Sequence, residues 1–367
     1  MRFNEFTTNW QSTTLKNVCE YRKIRRTTEK KNYVSTENIM QNFQGVERFI
    51  SAEYISGDGF NKNDILMGNI RPYLKKVCFA DFDGVCNADV LVFNSKTINP
   101  KFLYYVLAND NFINYVMSSV KGSKMPRGDK NFIMQYPLSL PSETEQLKIS
   151  DFIGCLTKRI QVQNKIISDL KVLKKELCNK VFSKGSAVRL GGFIEEVTTR
   201  NKLNSCENVL SVSNKMGFIK QSEQFEDRTV ASENKSNYKV VTEGCFAYNP
   251  ARINVGSIAL LSTYKIGIIS PMYVCFKAKS ALDSEYLNFY YQSGFFYKEL
   301  QKKLEGSVRQ CLTYENMSEI LIPYVGIEEQ KAIAATLNKF ATLIANEEKY
   351  LKSLQKQKSY FLNAMFI

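Results

Sequence analysis

The sequence predicts an α+β protein of two similar halves, each a mixed α/β globular domain followed by a long helix, with the two helices packed as an antiparallel coiled coil. Three observations predict this fold: an internal repeat, strand-like segments bounded by turn residues, and two heptad patterns of roughly 40 residues each. At 367 residues and 44% hydrophobic content, the chain has enough apolar material for two ordinary domains.

The repeat is anchored by the segments that open the two long helices. Gln146 matches Gln330, which lies 184 positions later, and the match continues without a gap to Phe182 and Phe366. Other matched segments include 84–93 with 267–276, at an offset of 183, and 122–123 with 306–307, at an offset of 184. The segment 32–35 matches 208–211 at an offset of only 176. We therefore expect two large pseudo-symmetric repeats, with insertions confined to their globular parts.

Each globular half has a strand-like pattern followed by a helical one. In the first half, strands are expected at 64–68, 76–80 and 90–93, because apolar runs there are bounded by Gly, Asn and Asp. Asn99-Pro100 then opens a helix expected from Lys101 to about Ser119. The predicted segments are a first globular domain at 1–141, a first long helix at 142–183, a second globular domain at 184–325 and a second long helix at 326–367.

The two long helices carry apolar residues at alternating steps of four and three, as a coiled-coil seam requires. Each seam contains one polar residue at the same register, and we expect this pair to fix the alignment of the helices. The predicted helix-pairing seam comprises Ile149, Ile153, Leu156, Ile160, Gln163, Ile167, Leu170, Ile333, Leu337, Phe340, Ile344, Glu347, Leu351 and Leu354.

A formal net charge of +14 favours an anionic partner such as nucleic acid. The basic residues cluster in loops at matching places of the two repeats, where they suit phosphate contacts, while Arg, Asn and Gln side chains suit base edges. The candidate DNA-binding residues are Arg22, Arg25, Arg26, Asn69, Arg71, Lys75, Lys76, Lys121, Lys124, Arg127, Lys130, Asn249, Arg252, Lys302, Lys303, Arg309 and Gln310.

Several classes of catalytic and metal site are excluded by the composition. The absence of histidine excludes Ser-His-Asp triads and HExxH zinc sites, and none of the nine cysteines forms a CxxC pair. No GxxxxGK[ST] phosphate loop is present, so we expect no cofactor, no metal and no catalytic residue in this chain. Without a charged-then-apolar leader or an apolar run of about 20 residues, we expect a cytoplasmic protein that contacts no membrane.

The order of these blocks resembles the specificity (S) subunit of type I restriction-modification systems. The resemblance is carried by 63–72 (NDILMGNIRP), by 84–91, by Gly122-Ser123, and by 141–146 (PSETEQ) opening a helix that ends at 173–182. It covers nearly the whole chain and departs from the family pattern at 243–246, where the Gly-Asp pair before a strand is replaced.

The resemblance implies that the globular halves are target recognition domains that read a bipartite double-stranded DNA target. It also implies that two methylation (M) subunits dock on the chain and bring S-adenosylmethionine, and that two restriction (R) subunits bring ATP-driven, Mg-dependent cleavage. The helices would then set the spacer between half-sites about one helical turn apart, ~34–36 Å. Two alternatives stay open: a coiled-coil scaffold that binds an acidic protein, and an unrecognised metal-dependent nuclease.

Overall fold

The computed structural model describes residues 2–120, 124–214, 216–224, 235–304 and 310–366. The chain divides into two compact units, unit 1 made of Met1–Asn164 with Lys349–Ile367, and unit 2 made of Lys165–Glu348. Both long helices therefore begin in one unit and end in the other.

The described part of unit 1 contains ten strands, four short α-helices and parts of both long helices. The strands are β1 (Gln11–Thr14), β2 (Cys19–Tyr21), β3 (Arg25–Glu29), β4 (Tyr33–Val34), β5 (Tyr54–Phe60), β6 (Ile65–Gly68), β7 (Val77–Phe79), β8 (Gly84–Cys86), β9 (Val90–Ser95) and β10 (Pro137–Leu140). The helices are α1 (Leu15–Val18), α2 (Pro100–Leu107), α3 (Asp110–Ser118), α4 (Lys130–Ile133) and the first long helix α5 (Glu143–Phe182). The strands expected at 64–68, 76–80 and 90–93 are thus confirmed.

Unit 2 repeats most of these elements in its described part. The strands are β11 (Ser186–Arg189), β12 (Ile194–Glu196), β13 (Val209–Ser213), β14 (Gly217–Lys220), β15 (Lys239–Thr242), β16 (Cys245–Tyr248), β17 (Ile258–Leu260), β18 (Ile266–Ile269), β19 (Val274–Ala278) and β20 (Leu321–Tyr324). The helices are α6 (Gln221–Gln224), α7 (Ser284–Tyr291), α8 (Gly294–Gln301), α9 (Tyr314–Ser318) and the second long helix α10 (Ile327–Met365).

The central sheet has the same strand order in both units. It runs β2-β9-β6-β7 in unit 1 and β12-β19-β16-β17 in unit 2, with all neighbours antiparallel. Side chains alternate between its two faces, so Ile65 and Met67 of β6 join the core under the helices while Leu66 joins the core under the second sheet. In unit 2, Phe246 and Ala247 divide in the same way. Each unit therefore has three layers: helices, central sheet and second sheet.

The second sheet differs between the units in the position of one strand. Both share a three-stranded core in which a central strand, β8 or β18, has a parallel neighbour on one side, β4 or β13, and an antiparallel neighbour on the other, β5 or β15. In unit 1 the fourth strand, β3, extends the antiparallel side through β5. In unit 2 the fourth strand, β14, extends the parallel side through β13. The same core thus presents different outer edges.

The single helix expected over 101–119 is wrong at its centre. Two helices, α2 and α3, occupy this segment, and Asn109 caps the second by accepting a hydrogen bond from the Asn111 amide at 2.9 Å. The Asn109 Nδ2 group also donates to the Leu362 carbonyl at 2.9 Å. The break is therefore fixed by a contact with α10 that no local pattern shows.

The two long helices have 40 and 39 residues, as the heptad pattern predicts. In unit 1 the α5 and α10 segments run antiparallel, because Phe152 packs on Phe361 with ring centroids 4.9 Å apart while Arg159, further along α5, donates to the Tyr350 hydroxyl, which lies earlier on α10. The core of unit 1 includes residues of both helices, among them Leu362 of α10.

A buried glutamine anchors the start of each long helix. Gln146 accepts a hydrogen bond from the Asn99 amide and donates to the Pro141 carbonyl, both at 3.0 Å. Gln330 accepts from the Asp283 amide at 2.8 Å. Its Nε2 group donates to the carbonyls of Ala281 and Val325, at 3.2 and 2.8 Å. In both units the glutamine therefore links the start of the long helix to the backbone just before a shorter helix, α2 in unit 1 and α7 in unit 2.

Candidate nucleic-acid interface

An exposed arginine follows β6, an inner strand of the central sheet, in a strained turn. Arg71 has φ +51°, a left-handed conformation uncommon outside glycine, and opens a short 3-10 turn over Pro72–Leu74. The turn closes at Lys75, which also has a positive φ of +55°. Among the described residues, the Arg71 side chain makes no hydrogen bond or ion pair. A strained backbone that projects a free arginine is typical of a functional site.

A second loop is held against this turn. The Arg71 amide donates to the Pro126 carbonyl at 2.8 Å, and Ile70 forms an isolated antiparallel bridge with Arg127. Gly128 has no room for a side chain, since a Cβ there would lie 2.8 Å from Val116 Cγ1 and 3.0 Å from Asn69 Oδ1. The fold therefore brings two exposed arginines, 56 positions apart, onto one part of unit 1.

Asn69 lies beneath this pair rather than on the surface. It is 5% exposed, and its Nδ2 group donates to the Gly128 carbonyl at 3.2 Å. Its Oδ1 atom is buried without a hydrogen-bond partner among the described residues. In this structure the asparagine predicted to contact a base thus holds the arginine-bearing loop in place.

Several of the other basic candidates in unit 1 are engaged within the protein. Arg22 is half-buried and binds both carboxylate oxygens of Asp64, at 2.6 and 3.1 Å. The remaining engaged side chains are Arg25 with Asp58 at 3.8 Å, Arg26 with Asn61 at 2.6 Å, Lys75 with Asp110 at 2.8 Å, Lys76 with the Thr36 carbonyl, and Arg127 with Asp89 at 3.1 Å. Lys124 and Lys130 are exposed, and Lys121 lies outside the described residues.

The equivalent turn in unit 2 borders a polar cleft. Asn249 and Arg252 follow strand β16 and line a cleft of about 440 Å³, together with Ser211, Tyr238 and Ser257. Asn249 is half-buried and accepts the Ala251 amide, whereas Arg252 is exposed and makes no side-chain bond among the described residues. Hydroxyl and amide groups around a free arginine can donate to and accept from a base edge.

The remaining candidates of unit 2 lie near α8 and after it. Lys302 pairs with Glu299, Lys303 is half-buried and Gln310 is exposed. Leu312, two residues beyond Gln310, donates its amide to the Pro250 carbonyl at 3.2 Å, so this loop is held near Asn249. Arg309 lies outside the described residues.

The predicted seam residues are all buried or half-buried. The buried members are Ile149, Ile153, Leu156, Gln163, Ile167, Leu337, Ile344 and Leu354, and the half-buried members are Ile160, Leu170, Ile333, Phe340, Glu347 and Leu351. Ile149 and Ile153 belong to the core of unit 1, and Ile333 and Leu337 pack in the core of unit 2. The first turns of each seam therefore also pack against a globular core.

Two side chains that make contacts near the candidate interface, Asp89 and Tyr21, are not among the residues predicted from the sequence. Asp89 binds Arg127, and Tyr21 donates its hydroxyl to the Lys130 carbonyl at 3.0 Å. Burial raises the pKa of the Tyr21 hydroxyl, so it stays protonated and can hold this bond. Asp89 does lie in a block matched between the repeats, where Met272 takes its place, and that difference could have marked it.

The described residues show neither a metal-binding cluster nor a helix that could span a membrane. No three cysteine and acidic side chains there come together in a way that could hold a metal ion. Across the same residues, no helix combines the length and apolar character needed to cross a membrane.

The sequence matches the protein-family model for the type I restriction modification DNA specificity domain at residues 7–172 and again at 175–356. The chain belongs to the type I restriction-modification DNA specificity family. The match comes twice, once for each repeat. As a specificity subunit, the chain is the DNA-recognition component of such a system and not a catalytic one.

Two proteins of similar sequence are also specificity subunits of type I restriction enzymes. It is 24% identical over 374 residues to the type I restriction enzyme MjaVIII specificity subunit of Methanocaldococcus jannaschii, covering 89% of this chain and 87% of that protein. It is 32% identical over 90 residues, 24% of this chain and 20% of the relative, to the EcoDI specificity subunit of Escherichia coli.

Solved structures share the fold at lower identity. The S subunit of a type I restriction-modification system from M. genitalium superposes with a TM-score of 0.63 at 14% identity, covering 100% of this chain and 97% of that chain. A chain from a study of complex assembly and conformational transition of the type I R-M system gives a TM-score of 0.60 at 17% identity, with 98% and 97% covered. The predicted α+β fold with two domains and long helices is thereby confirmed.

Proposed function

We propose that this specificity subunit reads a bipartite double-stranded DNA target, with one globular domain for each half-site and a fixed gap between them. The observation that carries the proposal is the contrast between the two equivalent turns. Each turn follows the equivalent strand of its unit's central sheet, β6 in unit 1 and β16 in unit 2. The loop that carries Arg127 lies against the Arg71 turn, whereas Arg252 borders a cleft lined by serine and asparagine. Equivalent scaffolds with different surfaces fit the reading of two different base sequences.

Within this proposal, the candidate DNA-binding residues divide by their present contacts. Arg71 and Arg252 are exposed and have no side-chain partner among the described residues. They suit base edges, because a guanidinium can donate two parallel hydrogen bonds to guanine. The exposed lysines Lys124 and Lys130 suit phosphates, which fix the register of the protein on the duplex. Asn69 and Arg22 would support the interface from below.

The proposal also names partners. Two methylation subunits would dock on the chain and carry S-adenosylmethionine, and two restriction subunits would carry ATP and Mg, so the catalytic chemistry would lie outside this chain. The complex would act in the cytoplasm, where its DNA is. The paired seam of the long helices would hold the two domains at the distance that the gap in the target requires.

The test is to produce the chain with its methylation subunits in a host that has no DNA methylation of its own, and to map the modified bases by single-molecule sequencing. We expect a split motif with a constant gap, which disappears when this chain is omitted. Arg71→Ala should change one half of the motif and Arg252→Ala the other half.

Arg189→Ala is the matched control, because Arg189 is an exposed arginine of unit 2 outside the candidate interface. It removes the same charge and should leave both halves of the motif unchanged. A continuous short motif, or methylation that is unchanged by both Arg71→Ala and Arg252→Ala, would contradict the proposal.

A further inference from the structure

Arg127 is the only one of the three exposed turn and loop arginines, Arg71, Arg127 and Arg252, that is bound by a carboxylate among the described residues. Asp89 Oδ1 accepts from Arg127 Nε at 3.3 Å and from Nη2 at 3.1 Å. The arginine side chain stays half exposed, at 50%, although it is paired. The carboxylate therefore occupies one edge of the guanidinium and leaves the rest accessible.

The free part of the guanidinium has the geometry that guanine requires. Of the five N–H groups, Asp89 takes one on Nε and one on Nη2, so one on Nη2 and both on Nη1 remain. The end formed by Nη1 and Nη2 can donate two parallel hydrogen bonds to the O6 and N7 atoms of guanine in the major groove. A guanidinium that is already oriented loses less side-chain entropy when it binds.

Asp89 is in turn attached to the backbone beneath the interface. Its carbonyl accepts from the Asn69 amide at 2.8 Å, and Asn69 also holds Gly128, the residue after Arg127. The backbone segments that carry the carboxylate and the guanidinium are thus both bonded to Asn69, at the end of the same strand. This attachment distinguishes the pair from an ordinary surface ion pair, in which both side chains move freely.

The pair occurs in one repeat only. At the offset of 183 the position of Asp89 is taken by Met272, and at the offset of 184 that of Arg127 is taken by Cys311. Both members are replaced together, and neither replacement can form an ion pair. The difference falls on the surface where the two domains would have to differ if they read different half-sites.

We propose that Asp89 positions Arg127 to read a guanine in the half-site of the first domain, and that the second domain has no equivalent contact. This inference rests on the proposed function, since it names one base contact within the target. Arg127 touches the base, and Asp89 is a positioning residue that acts through it.

The test maps methylation on a library in which each position of the target is varied, using the full complex of this chain with its methylation subunits. The native complex should require guanine at one position of the first half-site. Arg127→Ala should accept all four bases there, with a loss of about tenfold or more in preference for guanine. Arg127→Lys should not restore the preference, because an ammonium group cannot form the paired contact.

Asp89→Ala should reduce the preference at the same position while the second half-site stays unchanged. In the Arg127→Ala background, Asp89→Ala should add nothing, because the group that it orients is gone. Glu20→Ala is the control, since it removes the partner of Lys96 from another exposed ion pair of unit 1.

Three results would overturn the inference. Arg127→Ala could reduce methylation of all sequences equally, which is the signature of a phosphate contact. It could leave the motif intact, or Asp89→Ala could act as strongly without Arg127 as with it. A native complex that yields no split motif would instead overturn the proposed function, and this is seen before any variant is compared.

Discussion

The buried glutamines that anchor the long helices lead to a quantitative prediction for stability. Replacing Gln330 by Met keeps the side-chain volume but removes its three hydrogen bonds, to the Asp283 amide and to the Ala281 and Val325 carbonyls. At about 1 kcal/mol for each backbone group left without its partner, Gln330→Met should lower the free energy of unfolding by about 3 kcal/mol. Gln146→Met removes two such bonds and should cost about 2 kcal/mol.

Urea unfolding followed by circular dichroism measures these losses in the whole chain. The single tryptophan, Trp10, lies in unit 1, so its fluorescence reports the unit that Gln146 anchors. Gln161→Met and Gln355→Met are matched controls, because both glutamines are exposed on the same two helices. Each control should change the free energy of unfolding by less than about 0.5 kcal/mol.

The reasoning would be refuted if Gln330→Met cost no more than its control. Water would then replace the lost bonds, and the glutamine would not anchor the helix. A cost for Gln146→Met larger than that for Gln330→Met would also contradict the argument, because the number of bonds would not govern the effect.

Three further predictions concern one lysine, two thiols and one glycine. Burial lowers the pKa of Lys358 to about 8, so between pH 8 and 10.5 the unfolded chain binds more protons than the native one, and the free energy of unfolding should rise with pH. Lys358→Met should raise the free energy of unfolding by up to about 3 kcal/mol in urea titrations at pH 7, and by progressively less as the pH rises. Thiol titration at pH 8 should label exposed Cys155 within minutes, whereas Cys86, whose pKa burial raises to about 12, should react only after unfolding. Gly128→Ala should weaken DNA binding in a fluorescence anisotropy assay without removing any charge, because the new Cβ would displace the loop that carries Arg127; unchanged affinity would show that the loop tolerates the shift.

Much of the fold could be predicted because it depends on local pattern and on duplication. The strands near Ile65 and Val90 follow from apolar runs between turn residues, and the long helices follow from heptads that occur twice. The break at Asn109 could not be predicted in the same way, since its amide bonds to a residue 253 positions away. Local patterns contain no information about such a contact.

The candidate site was predictable in its position but not in its internal contacts. The turn at Arg71 and its counterpart at Arg252 follow from the repeat and from charge. Asn69, however, is covered by a loop that arrives from 57 to 59 positions further along the chain, so its burial is a property of the tertiary fold. The partner of Arg127 is likewise distant in sequence, and only the mismatch between Asp89 and Met272 could have indicated it.

The two units can complete their folding at different times during synthesis of the chain. Unit 2 is one continuous stretch, Lys165–Glu348, so it can fold as soon as that stretch has emerged. Most of unit 1 precedes unit 2 in the sequence, yet its core includes Leu362 and Met365 near the end of α10. Asn109 cannot donate its hydrogen bond to the Leu362 carbonyl until that residue has been synthesised. The domain that is synthesised first is therefore completed last, after its neighbour. Until then, the apolar surface that receives the end of α10 stays open, and this is the interval in which a nascent chain is exposed to chaperones and to wrong partners.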